Sequence, residues 1–410
     1  MALALIYATL LAFIPYFVAV RFAPRLDWQW IRWIVVAVAL GVRGAALTAP
    51  IVLSDDVYRY LWEGKIQCAG FNHYRHPPNA PELGQLRDAN WQRVTHRDVP
   101  SAYQPLLLLL FRGAAVVATS PLVFRAIFTG FDLATFWLLV RLLRTRGQNE
   151  SLALIWALNP LVILEFAGNG HEMSMAICFF VAGLLGLEGR KDGRRAPVWF
   201  AVAALSHLMA LPVAAAAMVA ARVRWQGWLT FAVLLGCGFV PFADAGRELV
   251  LGLEHIAGRW RFNGSVFEFL VRLVGHEDLH QGFGGVWIAY ALPKRIVVVL
   301  LAVVFVWTVV RRYSPPHAAL TLAGAMLLLS PTVHPWYVTW LVALACVEFR
   351  VAWLAFSALV VVSYVAKIVE LQTGVWIDSS VVRWMEYAPL FGLLAWEWCR
   401  KRFDTTEQPR

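Results

Sequence analysis

The apolar stretch WIVVAVALGVRGAALTAPIV at 33–52 runs directly into Leu53-Ser54-Asp55-Asp56-Val57-Tyr58-Arg59-Tyr60-Leu61-Trp62-Glu63-Gly64. The first stretch is long enough to cross a bilayer as a helix. The second places two adjacent carboxylates where that helix leaves the lipid, with Arg59, Glu63 and Lys65 close behind in a chain otherwise poor in charge. A lone charge at a membrane boundary is ordinarily a solvated helix end, whereas a cluster of this kind suggests a site.

Hydrophobic residues fill 60% of the 410 positions and charged residues only 15%, a balance that a soluble domain with a polar surface does not show. The chain therefore reads as an all-α, polytopic transmembrane bundle, one integral-membrane unit over 1–410. Candidate segments lie at about 3–20, 33–52, 104–119, 122–143, 151–166, 171–188, 197–209, 210–222, 226–242, 291–311, 317–332, 335–349, 351–370 and 383–399. That makes about 12–14 membrane segments, some of them partial. Many of the 20 tryptophans, Trp28, Trp30, Trp33, Trp225, Trp228 and Trp384 among them, stand near segment ends as an interfacial belt. Of five cysteines only Cys68 lies in a long polar loop, and neither a disulfide framework nor a metal-ligand spacing is present.

The net charge of +10 is not a nucleic-acid footprint, because the basic residues sit in short loops between apolar runs. They are Arg21, Arg25 and Arg32; Arg141, Arg144 and Arg146; Arg190, Lys191, Arg194 and Arg195; Arg222 and Arg224; Arg311 and Arg312; Arg350; and Arg400, Lys401 and Arg402. The positive-inside rule puts these loops in the cytoplasm. For all of them to share one side, 104–119 must dip in without crossing and the short runs at 197–209 and 210–222, with Pro212 near their junction, must form a down-and-up hairpin. The helix at Met1–Val20 lacks a small-residue cleavage site and reads as retained rather than as a signal peptide.

This orientation places the loops 53–103, 243–290 and 371–382, and the breaks at Gly168–His171 and Pro331–Pro335, on the extracytoplasmic face, leaving 403–410 as a cytoplasmic tail. The 53–103 loop carries an amphipathic pattern, Val57, Tyr60, Leu61 and Ile66, and reads as short helices on the membrane surface. Ser54 is the expected N-cap of the first, with Asp55 and Asp56 in the opening turn where the helix dipole favours negative charge.

Four groups of residues on that face can carry chemistry. Asp55 and Asp56 offer a base, and Arg59, three or four residues on, faces the pair and can hold an anion. In Phe166-Ala167-Gly168-Asn169-Gly170-His171-Glu172 two glycines open a helix junction where Asn169, His171 and Glu172 sit at membrane depth, an expensive place for ionisable groups. Being adjacent, His171 and Glu172 point apart and do not form a chelating pair. In Ser330-Pro331-Thr332-Val333-His334-Pro335-Trp336-Tyr337 two prolines hold the backbone open around His334. Arg259, Arg261, Lys294 and Arg295 run against the charge bias of an outer face, which an anionic ligand such as a phosphate, or a lipid headgroup, accounts for. His207, within an apolar run, reads as a packed helix residue. A carboxylate beside cations that hold phosphate suits transfer of a sugar from a lipid phosphate to a hydroxyl: the base takes the acceptor proton, and the departing phosphate needs cations rather than an acid.

At these motifs the chain resembles the GT-C superfamily of membrane glycosyltransferases, in particular the bacterial polyprenyl-phosphate-mannose-dependent α-mannosyltransferases. The resemblance rests on Ser54 to Gly64, Asn72-His73-Tyr74-Arg75, Tyr103-Gln104-Pro105-Leu106, Asn159-Pro160 with Glu165 to His171, Trp260-Arg261-Phe262-Asn263-Gly264-Ser265, and Ser330-Pro331 with His334-Pro335-Trp336-Tyr337, in order along nearly the whole chain. It implies an inverting enzyme whose base is an acidic residue of the first outer loop, Asp55 or Asp56, with His334 assisting proton removal or orienting the acceptor. It also implies a polyprenyl-phosphate sugar donor, most simply mannose, a glycolipid, glycan or protein acceptor, and membrane lipids as surroundings. Tyr58, Arg75, Tyr103, Asn263 and Tyr337 join the substrate-binding candidates by matching these motifs. Similar proteins often show Tyr-Pro-Pro where this chain has Tyr103-Gln104-Pro105, and an Asp shortly after the His where it has His171-Glu172-Met173. Members differ in metal use, so no metal ligand and no cofactor is assigned. Two other classes fit the composition: a transporter or flippase, which would claim Lys367 and Glu370, and an oligosaccharide ligase using an undecaprenyl diphosphate donor.

Overall fold

The computed structural model describes residues 1–189, 195–274, 279–281 and 287–406; Arg190, Lys191 and Arg194 of one basic loop, and the end of the 403–410 tail, lie outside these. The chain is an integral, multi-pass membrane protein built of helices: α1 Ala2–Phe22, α2 Trp28–Thr48, α3 Asp56–Cys68, α4 Pro105–Val117, α5 Pro121–Thr145, α6 Leu154–Ala157, α7 Pro160–Ile163, α8 Met173–Glu188, α9 Ala196–Ala204, α10 Ala210–Ala220, α11 Trp225–Phe239, α12 Leu251–Arg259, α13 Val266–Val274, α14 Ala291–Val310, α15 Pro315–Leu329, α16 Pro335–Ala345, α17 Val351–Leu359, α18 Val365–Thr373 and α19 Ser380–Thr406. A short antiparallel ribbon, β1 Leu279–Gln281 with β2 Trp287–Ala289, lies within the 243–290 loop.

Among the described residues six helical stretches are long and apolar enough to span a bilayer. Another comes from Glu150–Ala157 and Pro160–Gly168, bent by 52° at their break, and five apolar helices are shorter. The bend follows from sequence: Pro160 cannot continue the preceding helix, and Asn159 caps the new one by accepting from Leu161 N at 3.0 Å. α4, with 13 residues, is about 20 Å long and falls short of a ~30 Å core. That length agrees with the expectation that 104–119 is a partial segment, and α9 and α10 are short helices on either side of 205–209, as expected of the short pair.

Small residues let these short helices pack closely. Ala201, Ala203, Ala204, Ala210, Ala214, Ala216 and Ala217 are buried between α9, α10 and their neighbours. A Cβ on Gly64 would overlap the Phe111 carbonyl oxygen, so this glycine is what brings α3 and α4 into contact. The outward faces stay apolar: Val298, Val299, Val303, Val306 and Val310 of α14, and Trp30, Trp33, Ile34 and Val38 of α2, are exposed where acyl chains would cover them.

Two buried arginines fasten the bundle. Arg43 of α2 meets Asp132 of α5 through Nε at 2.5 Å and Nη2 at 2.9 Å, and donates from Nη1 to the Ala157 carbonyl at 2.7 Å. Arg125 donates to the carbonyls of Ala167 at 2.9 Å and Ala49 at 3.0 Å, where backbone acceptors run out of partners. Gly170 makes room for it, at φ 79° with the Arg125 side chain where a Cβ would stand.

Candidate active site

α3 begins at Asp56 with Asp55 as its N-cap residue. Ser54, expected to be the cap, accepts from Asp56 N at 3.3 Å one step earlier. The Asp55 side chain does not cap the helix because two cations draw it away: Arg93 Nη2 at 2.7 Å and Lys367 Nζ, from α18, at 2.8 Å. Lys367 also reaches Glu370 at 2.8 Å. Arg93 lies over the Tyr58 ring, 4.0 Å from its centroid, and its guanidinium also meets the Tyr58 hydroxyl.

Asp56 has a different environment. Its side chain has no Lys or Arg ion-pair partner among the described residues, and His171 Nδ1 stands 3.6 Å away. Burial first, and the charge of Asp55 second, push the Asp56 carboxyl up to about 6, against the opposing pull of Lys367 and Arg59. The side chain is still 36% exposed, so a substrate can reach it.

Asn169, His171 and Glu172 are each at least nine-tenths buried beside it. His171 stands between Asp56 and Glu165, whose Oε2 is 3.4 Å from its Nε2, and stacks on Trp336 with ring centroids 3.8 Å apart. His334 stacks on the same indole, 4.3 Å away and nearly parallel, so Trp336 is held between two imidazoles. Asn169 donates to Glu165 at 3.0 Å, and Tyr364 donates to the same carboxylate at 2.8 Å. Glu165 sits in a π-helical turn, Leu164–Gly168. Glu172 points elsewhere, accepting from Tyr60 at 2.9 Å, with His207 Nε2 4.0 Å away. His207 thus lies in the 205–209 break at this end of the bundle rather than inside a helix as the sequence suggested.

His334 is N-terminal to α16, flanked by the Phe262 ring at 5.0 Å and Tyr337 at 5.7 Å. Burial, with a small contribution from His96, lowers its imidazole to about 3, so it is neutral and can accept a proton or a hydrogen bond. The motifs at 260–265 and 330–337 are joined through the backbone: Phe262 N donates to Pro331 O at 3.0 Å and Val333 N to Phe262 O at 2.8 Å.

Several expected ligand-binding residues have structural partners instead. Arg59 does not face the aspartates. Its Nε bonds Glu63 at 2.5 Å, and its other nitrogens donate to the carbonyls of His96 and Val99. His73 meets the far oxygen of Glu63 at 2.6 Å; burial works to raise the Glu63 carboxyl, but Arg59 and His73 outweigh it and hold it low. Arg261 donates two hydrogen bonds to the Glu268 carboxylate, at 3.0 and 2.6 Å, over the Tyr290 ring. Lys294 donates to Gly258 O at 2.7 Å and Ala289 O. Arg75, half-exposed, pairs with Glu248 at 3.0 Å. Asn263, in left-handed backbone at φ 54°, donates to Glu386 at 2.7 Å and accepts from Tyr387 through its carbonyl. Arg259 and Arg295 are exposed and make no ion pair among the described residues. Tyr103 packs edge-on to Tyr60 at 5.4 Å and its carbonyl accepts from Tyr74.

The sequence reading gives no role to Arg93 or His96, carries Glu165 and Trp336 only within the motifs of the family resemblance, and leaves Lys367 to the transporter alternative. Among the described residues no three His, Cys, Asp or Glu side chains converge as metal ligands. The arrangement is a reachable carboxylate with a raised proton affinity, two cations on its flank and a neutral histidine facing the same end.

Residues 1–230 match the family described as alpha-(1->6)-mannopyranosyltransferase, N-terminal domain. The chain is 24% identical over 360 residues to a probable alpha-(1->6)-mannopyranosyltransferase of Mycolicibacterium smegmatis, covering 72% of this chain and 61% of that protein. It is 25% identical over 370 residues to an alpha-(1->6)-mannopyranosyltransferase of Mycobacterium tuberculosis, covering 72% and 62%. A third relative, alpha-(1->6)-mannopyranosyltransferase B of Corynebacterium glutamicum, is 27% identical over 225 residues, covering 51% and 34%. The chain thus spans less than two thirds of the length of these relatives. No solved structure matches it.

Proposed function

Since the chain belongs to this alpha-(1->6)-mannopyranosyltransferase family, we propose that it transfers a single mannosyl group from a polyprenyl-phosphate donor to an acceptor hydroxyl of a glycan or glycolipid. The reaction takes place on the extracytoplasmic face of the inner membrane, the side opposite the arginine-rich loops. Asp56 is the general base. The observation that carries this reading is the contrast within the aspartate pair: Asp55 is held by Lys367 and Arg93, whereas Asp56 has neither cation and remains reachable.

In the proposed step the acceptor hydroxyl gives its proton to Asp56 as its oxygen bonds the anomeric carbon. The bond from that carbon to the donor phosphate oxygen breaks on the opposite face, which inverts the configuration. The leaving phosphate carries its charge away unprotonated, so nearby cations rather than an acid lower the barrier. Lys367 and Arg93 are the cations within reach of the aspartate pair. Neutral His334, backed by Trp336, orients the acceptor.

Purified protein given mannose-labelled polyprenyl phosphate, a diphosphate-linked oligosaccharide or a nucleotide-linked mannose, each with an oligomannoside acceptor, tests the proposal. Transfer from the monophosphate alone is expected. Transfer only from the diphosphate would make the protein a ligase, and movement of intact lipid without bond cleavage would make it a transporter.

A further inference from the structure

α14 runs away from the Asp56 end and α15 returns to it, so their junction lies at the remote end of the bundle. A cavity of about 840 Å³ opens there, lined by Arg311, Arg312, Arg350 and His317 and by the indoles of Trp307 and Trp398. Among the described residues none of the three arginines has a salt-bridge partner, and Arg311 is placed only over the Trp307 ring, 5.4 Å from it. Nearby carboxylates are already engaged. Glu397, on the cavity wall, accepts from Val351 N at 2.6 Å and Ala352 N at 3.2 Å. Glu348 accepts from Ser314 at 3.0 Å and meets His317 at 3.1 Å. Arg312 is held in left-handed backbone at φ 50°, a conformation that costs a non-glycine residue energy.

Three guanidinium groups on the wall outnumber its one carboxylate, Glu397, which is turned to backbone N–H donors, so the cavity keeps a net positive lining that suits an anion, and the planar forks match phosphate oxygens. The apolar wall identifies which one. Trp307 and Trp398 are 52% and 58% exposed, and they continue into the exposed Val303, Val306 and Val310 of α14, the surface that acyl chains cover. We infer that this cavity binds the headgroup of an anionic glycerophospholipid, its phosphate against Arg311, Arg312 and Arg350 and its chains along α14.

Delipidated full-length protein in detergent, titrated with dioleoyl-phosphatidylglycerol or dioleoyl-phosphatidylcholine, allows retained lipids to be counted by native mass spectrometry. One phosphatidylglycerol should bind at least about tenfold more tightly than phosphatidylcholine. Arg312→Gln with Arg350→Gln should remove that preference, while Arg222→Gln with Arg224→Gln, at another basic loop, should keep it. Equal retention of the two lipids by the wild type would overturn the inference, as would full retention by the Arg312/Arg350 double variant with its elution volume unchanged. Displacement of phosphatidylglycerol by millimolar inorganic phosphate would overturn the lipid assignment in favour of a soluble phosphate ligand.

Discussion

Asparagine substitution at Asp55 and at Asp56 should have unequal effects, although the two residues are adjacent and chemically identical. Asp56→Asn removes the proposed base, and a positioned base contributes about 10²- to 10⁴-fold, or roughly 3–5 kcal/mol of barrier. Asp55→Asn removes ion pairs to Lys367 and Arg93 at 2.8 and 2.7 Å. Because Arg93 is 44% exposed, solvent screens its share, and the loss is about 1 kcal/mol, a tenfold effect on turnover at most. The pH dependence separates the two roles further. The base must be deprotonated to act, so wild-type kcat/KM should fall as pH drops through about 6, the value to which burial and Asp55 raise Asp56. Removing the like charge of Asp55 favours the Asp56 carboxylate, so in Asp55→Asn that acidic limb should move to lower pH, by up to about one unit. In Asp56→Asn the limb should disappear along with nearly all activity. Single-sugar transfer to a soluble oligomannoside, measured between pH 4.5 and 8, reads both effects. An active Asp56→Asn beside a dead Asp55→Asn would reverse the assignment and refute the reasoning from ion pairing.

Asp132→Leu leaves Arg43 unpaired inside the bundle and should cost about 3–5 kcal/mol, lowering the unfolding temperature in detergent, whereas adding Arg43→Met should recover much of the loss; a double variant no more stable than the single would remove the pair from the account. Lys367→Gln should weaken donor binding about tenfold and move the acidic limb to higher pH, since the lost cation favours the Asp56 carboxylate; unchanged donor affinity would exclude Lys367 from the phosphate site. His334→Ala should lower kcat more than it raises donor KM, and unaltered turnover would leave His334 a packing partner of Trp336.

Much of this architecture is legible in the sequence because its signals are local. Apolar length gives the membrane helices, the Gly168–Gly170 glycines mark one break, and the arginine loops place the breaks that carry Asn169, His171 and His334 at one end. The run at 151–166 reads as a single segment, and its bend before Pro160 emerges only in the structure. What fails is pairing at a distance. Asp55 and Lys367 meet across 312 positions, which no periodicity reveals. Arg59 shows the limit of spacing rules even nearby: it lies within one helical turn of both Asp55 and Glu63, and the carbonyls of His96 and Val99 settle which carboxylate it joins. Outward cations are unexpected, so Arg261 and Lys294 read as ligand-binding in the sequence. Their partners, Glu268 for Arg261 and two backbone carbonyls for Lys294, become visible only once the second loop is folded. Arg43 and Asp132 were open to recognition as charges inside apolar runs, a signal that membrane depth makes informative.

The account depends above all on residues from the first loop, the breaks and α18 sharing one outward-facing reaction centre. Single cysteines at Thr95 of the first loop, Gln372 of α18 and Arg312, all exposed, introduced into a cysteine-free background and challenged with a membrane-impermeant maleimide in sealed right-side-out vesicles, measure this directly. Labelling from outside is expected at positions 95 and 372, and at 312 only after the vesicles are opened. Labelling of 95 and 372 from opposite sides of the membrane would contradict it.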